Sequence, residues 1–309
     1  MSSDVVIKDK KHVGKYSRMA ISLQQVAGKI DTVPDGLYDQ KVTLKAGAVT
    51  IDNDTLDLEF DIPFDDDTEA NEAEIQIYNL TNKTINALSK KTAISITAGY
   101  GKDTGCIFSG YISKRRTVWE DGDKVTTIYA IDNHGKKEAD LSKKITFGKG
   151  TKASSILRKL VARTGLPVAV FKIRRDYTYK GKTTVDGGLM NNIRKYADVC
   201  GVSAYVCKSK IYVCPLTYGQ SKTFHLSEDT GLLSISEFEE ESTAEKYKDH
   251  IVGVECEILL QHRIQTGSVI QIENGTYKGT YRVREGSHNY DGDKFTTKVK
   301  AVSTSSLKK

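Results

Sequence analysis

Apolar and polar residues alternate most regularly in "TLDLEFDIPF", where Leu56, Leu58, Phe60, Ile62 and Phe64 are separated by Asp57, Glu59, Asp61 and Pro63. A period of two predicts a strand with one face in a core and the other on solvent or an interface. Asp52-Asn53-Asp54 turns an earlier strand back into this one, and Asp65-Asp66-Asp67 opens a solvated loop. The triple aspartate does not read as a calcium loop, because the central Gly and distal Glu of an EF-hand are missing. The pattern then gives a strand at 73 to 78, a short helix at about 82 to 90, and a strand at 93 to 100. Asn79, Thr81 and Asn82 are candidate N-caps of that helix, and Ile85 and Leu88 lie on one of its faces. "GYGKDTG" lacks the spacing of a phosphate loop and reads as a β-turn into the next strand, "IFSGYI" at 107 to 112. This strand series closes near 131 to 135.

The period changes in the middle of the chain. "TKASSILRKLVARTGLP" and "DGGLMNNIRKYADVCG" each carry a helical apolar stripe and end on a glycine stop, Gly165 and Gly201. The first has Thr151 or Ser154 near its start, and "SAYVCKS" and "KIYVCPL" follow the second as a hairpin, which makes 150 to 215 an α+β module. Residues 234 to 250 read as the most charged loop of the chain. From His250 to Val302 a second strand series follows. The predicted class is α+β, mainly β, with two β-rich blocks flanking the module.

Each block ends on nearly the same words. "DGDKVTT" begins at Asp121 and "DGDKFTT" at Asp291, differing only in Val125 against Phe295. Asp-Gly supplies the positive φ angles of a tight hairpin, and β-branched residues follow. Asp121, Gly122, Asp291 and Gly292 are therefore the candidate structural turns, and their shared late position suggests a duplicated unit with Thr126 and Thr296 on matching strands.

Composition narrows the function classes. The chain has 309 residues, 38% of them hydrophobic, which suffices for about two domains with real cores. Its net charge of +6 is scattered lysine, with no arginine block of a nucleic-acid binder; "KRRTVW" at 114 to 119 reads as one structural strand. No apolar run is long enough to cross a membrane or to act as a secretory signal, so synthesis in a cytoplasm is expected. The five cysteines, an odd number, read as buried free thiols. His12, His134, His225, His250, His262 and His288 are isolated, and no nucleophile, metal or cofactor spacing is present. The residues predict no catalytic, cofactor or metal site.

Taken in order, several segments resemble the baseplate hub proteins of contractile phage tails and phage-tail-like bacteriocins, a family that includes late control protein D and the hub half of type VI secretion spikes. They are "AEIQIYNLTNKTINALSKKTAISITAGYG", "IFSGYI" with its Asp-Gly hairpin, "ASSILRKLVARTGL", "LMNNIRKYADVCGVSAYVCKSKIYVCP" and "GTYRVREGSHNYDGD". The resemblance spans about 40 to 305. It departs at Lys91, where related hubs often carry Gly, and in residues 1 to 40, an extension with no assigned role. It implies two tail-tube-like β-barrels, at 41–149 and 216–309, around the α+β module at 150–215. It further implies a non-enzymatic homotrimer whose six barrels form a pseudo-sixfold ring, adapting a sixfold tail tube to a threefold spike. The implied partners are the tube protein, a separate spike, other baseplate proteins and a tape measure protein in the channel, with assembly in a bacterial cytoplasm. Two other classes stay open on the residues alone: a tail-associated cell-wall hydrolase and a tail-tip host-adsorption protein.

Overall fold

The computed structural model describes residues 39–132, 144–215, 223–241 and 250–306. The N-terminal extension, apart from its last two residues, and most of the segment at 131 to 135 lie outside these ranges. The first block consists of β1 (Gln40–Ala46), β2 (Val49–Asp52), β3 (Leu58–Phe64), β4 (Glu72–Tyr78), the short helix α1 (Asn82–Ala87), β5 (Ala93–Tyr100), β6 (Asp103–Glu120) and β7 (Asp123–Ile131). Its strands are antiparallel and lie in the order β3-β4-β7-β6-β5-β1-β2. The Thr81 hydroxyl accepts the Thr84 N–H and caps α1. The helix ends three residues before the position predicted from its apolar stripe, because the Lys91 N–H instead donates to the Ile112 carbonyl of β6.

The middle module holds β8 (Ile145–Phe147), α2 (Ala153–Thr164), β9 (Val168–Phe171), β10 (Thr183–Val185), α3 (Leu189–Val199), β11 (Ser203–Cys207) and β12 (Lys210–Cys214). Ile156, Leu157 and Leu160 of α2 pack with Leu189, Ile193 and Tyr196 of α3 over the β11-β12-β9 sheet. Gly165 and Gly201 stand at φ 72° and 69°, the left-handed C-terminal stops that the sequence predicts. The second block holds β13 (Thr223–Leu226), β14 (Leu232–Glu241), β15 (His250–Leu259), β16 (Val269–Asn274), β17 (Tyr277–Tyr290) and β18 (Phe295–Ser303), in the order β14-β15-β18-β17-β16-β13. Residues 234–241, expected as part of a charged loop at 234 to 250, belong instead to the edge strand β14; its glutamates project from an edge where solvent reaches them.

Strands β3 to β7 and β14 to β18 thus pair in one pattern, β3-β4-β7-β6-β5 against β14-β15-β18-β17-β16. A bulge fixes the correspondence between the two. Ile112 pairs with Ala130 and Lys114 with Tyr129, skipping Ser113; Val283 pairs with Ala301 and Glu285 with Lys300, skipping Arg284. Ala130 therefore matches Ala301, and Thr126 matches Thr297, not Thr296. The DGDK copies are one residue out of step with the fold. Thr126 faces Ile77 and Thr117, whereas Thr296 pairs with Leu259 and Asn289 on the opposite face of its sheet.

That offset gives the two hairpins different turns. Asp121 and Gly122, at φ 50° and 90°, are the whole loop between the paired Glu120 and Asp123, the pattern of a type I′ turn. In the second loop positive φ falls on Gly292 alone, at 88°, in the place of Asp121, as in a II′ turn. The Asp291 carboxylate closes it by accepting the N–H groups of Asp293 (3.1 Å) and Lys294 (2.7 Å).

Neither block closes into a barrel among the described residues. The physical reason lies in β17: its first part pairs with β16, and Gly286–Tyr290 pair with Phe64–Phe60 of β3. The blocks merge into one 13-stranded sheet. The cores interlock as well, since Phe295 packs into the cluster of the first block and Phe64 into that of the second. The fold class is α+β, mainly β.

Lys91 has φ 72°, a conformation that costs a side-chain-bearing residue about 1 kcal/mol and glycine nothing. Lys91→Gly loses some of that gain to the entropy of the unfolded chain. The expected outcome is a stability increase of about 0.5 kcal/mol in urea unfolding; a decrease would mean that the Lys91 side chain holds the turn.

Candidate interaction face

The merged sheet has two unlike faces, because directly paired residues share a face and successive residues alternate. On one face run Cys256, Val299, Gly286 and Phe64, and beside them Tyr290, Phe60, Ile75 and Ile128. The other face is charged. Across it run Ser236–Glu255–Lys300–Glu285, then Ser234–Glu257–Lys298–Ser287–Pro63, then Thr296–Asn289–Asp61–Glu74–Tyr129–Lys114, then Glu59–Gln76–Thr127–Arg116. Acids outnumber bases in these rows. Opposite charges stand across strands at Glu255 and Lys300 (3.7 Å), and Lys300 also lies 3.4 Å from Glu240 and 3.9 Å from Glu285.

Two grooves lie on this face at the seam between the blocks. One, of about 540 Å³, runs over Pro63, Asp65, Ser234, Glu255, Glu285 and Lys300; the other, of about 360 Å³, runs over Glu59, Asp61, Glu74, Glu257, Asp291 and Lys298. Burial raises the Asp61 pKa above the usual carboxylate range, against the Asn289 hydrogen bond and Lys298, which favour its charged form. The chemistry available here is that of an ordered, charged contact surface. Among the described residues no group of three or more His, Cys, Asp or Glu side chains is placed to hold a metal ion.

Behind the seam the middle module inserts a finger. Lys208 and Ser209, at φ 51° and 57°, form the two-residue loop between β11 and β12. The Ser209 hydroxyl donates to the Ser109 carbonyl (2.6 Å) in the first block, and Lys208 Nζ donates to the His262 carbonyl (3.1 Å) in the second. Near it, Asp132 Oδ1 accepts the Asn71 N–H at 3.2 Å, and burial pushes the Asp132 carboxyl up to about 7. Burial likewise raises Asp65 to about 6, with the Asp67 and Asp66 charges adding to the rise. The solvated loop expected at 65 to 67 is therefore corrected: Asp66 is buried, 3.8 Å from Arg284.

Asp121 and Gly122 stand exposed at the tip of the first hairpin, and Asp291 and Gly292 are exposed on the second. Asp291 lines the smaller groove and Asp121 does not. Four of the cysteines are buried free thiols; Cys106 is exposed, because it lies on the outer side of β6. The sequence reading passed over Lys298, Lys300, Glu255 and Glu257, whose signal was charge alternating with apolar residues in "VECEI" and "TKVKAV". The finger had no sequence signal, since Lys-Ser lacks the Gly or Asn of an ordinary I′ turn.

No family profile matches the sequence, and no curated protein matches it. Solved structures do match. The tail protein from Neisseria meningitidis MC58 aligns with a TM-score of 0.64 at 11% identity, over 87% of this chain and 98% of that one. The 43 kDa tail protein of prophage MuSo2 from Shewanella oneidensis gives 0.63 at 9% identity, over 86% and 97%. The E. coli c3393 protein, described as a type VI secretion component similar to the T4 bacteriophage tail proteins gp27 and gp5, gives 0.58 at 10%, over 84% and 76%. The fold is one found in phage tail proteins and in a type VI secretion component.

Proposed function

We propose that this protein is a structural hub subunit in the baseplate of a contractile tail or tail-like injection particle. The observation that carries this reading is the duplicated five-strand unit, which gives one chain two similar units joined edge to edge. Three such chains present six similar units around a channel, so that a sixfold tube meets a threefold spike. The fold shared with tail proteins supports the same assignment. Each half, at 41–149 and 216–309, acts as a tail-tube-like unit, with 150–215 bracing the seam. The charged sheet face lines the channel, where a tape measure protein passes, and the partners are the tube, the spike and neighbouring baseplate proteins. Assembly takes place in the bacterial cytoplasm, and the role is non-catalytic.

Labelling this chain in isolated tail particles tests the reading. The label is expected at the end of the tube where the spike attaches. Labelling along the sheath or on fibres, or lysis of cell walls by the pure protein, would contradict it.

A further inference from the structure

Several strand edges remain open among the described residues, those of β2 and β13 included, and two of them belong to the counterparts of the strands that form the seam. β14 pairs only with β15, so its outer edge is free along Leu232–Glu241. β6 pairs with β5 no further than Tyr111, so its edge facing away from β7 is free from Ser113 to Glu120. Unpaired edges are templates for another strand. Within the chain the strand that matches β6 is β17, and the one that matches β14 is β3; those two pair with each other. We infer that β6 of one copy pairs antiparallel with β14 of the next, repeating between chains the β17–β3 seam found within each. This rests on the ring reading and names the strands that close it.

The register follows from the fold. The bulges match Gly286 to Arg115 and Tyr290 to Trp119. Pairing along β4 and β15 matches Phe64 to Glu239 and Phe60 to Ile235, because Glu74 opposite Tyr129 corresponds to Glu255 opposite Lys300. Transferring Gly286↔Phe64 and Tyr290↔Phe60 gives Arg115↔Glu239 and Trp119↔Ile235, with Thr117↔Glu237 between them. The chemistry agrees with a register derived from topology alone. A guanidinium meets a carboxylate, and Trp119, the only tryptophan and 74% exposed, meets the half-buried Ile235. Opposite charges and aromatic–aliphatic pairs are the favourable cross-strand combinations, and like charges at such a position repel.

The test uses the full chain with Cys106→Ser to remove the exposed thiol. Val118→Cys with Ser236→Cys, the transferred counterparts of Asn289 and Asp61, is expected to give disulfide-linked trimers on oxidation. Shifting one site by a residue, to Val118→Cys with Ile235→Cys, is expected to give at least tenfold less. Arg115→Glu is expected to cut the assembled fraction at least tenfold, with adding Glu239→Arg restoring it. Trp119 fluorescence is expected to shift to the blue on assembly of the wild type and not in the Arg115→Glu chain. Trimers that form without the disulfide, or that persist in Arg115→Glu with Trp119 still exposed, would overturn this seam and leave the ring reading standing. A wild-type chain that stays monomeric would overturn both.

Discussion

Gly286→Val is expected to lower the unfolding free energy by about 3 kcal/mol and to loosen the seam between the two blocks. Gly286 sits where β17 leaves its own block and pairs with Phe64 of β3. A Cβ at this position would fall 2.2 Å from the Lys298 carbonyl oxygen and 2.7 Å from the Phe64 ring. The carbonyl belongs to the neighbouring strand and cannot yield without breaking the β17–β18 ladder. The Phe64 ring is buried against the second block's core and touches His288 at 5.2 Å between centroids. Denaturant unfolding of the variant measures the loss. Wild-type stability in Gly286→Val would show that the seam is far looser than its pairing implies.

Asp132→Asn is expected to raise stability at pH 8 by at least about 1 kcal/mol and to remove the part of the fall in stability between about pH 4 and pH 7 that Asp132 causes. Burial raises the folded Asp132 pKa to about 7 from 3.8, so the folded state holds this proton more tightly than the unfolded chain does. The stability it contributes is fully present below about pH 3.8, is lost at about 1.4 kcal/mol per pH unit as pH rises to about 7, and changes no further above that. Asp65, raised to about 6, acts in the same sense at lower pH. Burial lowers His262 to about 4 and His288 to about 3, both from 6.5, so these two remove stability as pH falls below 6.5. Between about pH 4 and pH 6.5 the histidines oppose the carboxyls, so the Asp132 slope is read from the difference between the two chains. Asparagine keeps an oxygen for the Asn71 N–H and has no charge to bury. Urea unfolding of both chains from pH 4 to pH 8 checks this: the wild type is expected to lose stability relative to Asp132→Asn up to about pH 7 and to run parallel to it above; profiles parallel throughout would show that Asp132 ionises freely in the folded protein.

The strand alternation at Leu58 to Phe64 was legible because a half-buried strand must alternate, and the glycine stops of α2 and α3 because only glycine adopts their φ without cost. The DGDK repeat pointed to the correct pair of strands but the wrong residue step. Its apolar continuations, Ile128 and Ala130 against Val299 and Ala301, already carried the one-residue offset. Edge strand β14 was missed because Ile235 and Phe238 break the period and the glutamates after them look like a loop. The merging of the blocks through β17 and β3 could not be read locally. It depends on a pairing between segments more than two hundred residues apart, and Gly286 is its only mark in the sequence.

The most direct test of the central claim is the mass and averaged image of the assembled full-length protein, obtained by light scattering and electron microscopy of one preparation. The account predicts three chains and a ring of six similar lobes around an open channel. A dimer, or a trimer whose lobes form no ring, would contradict it.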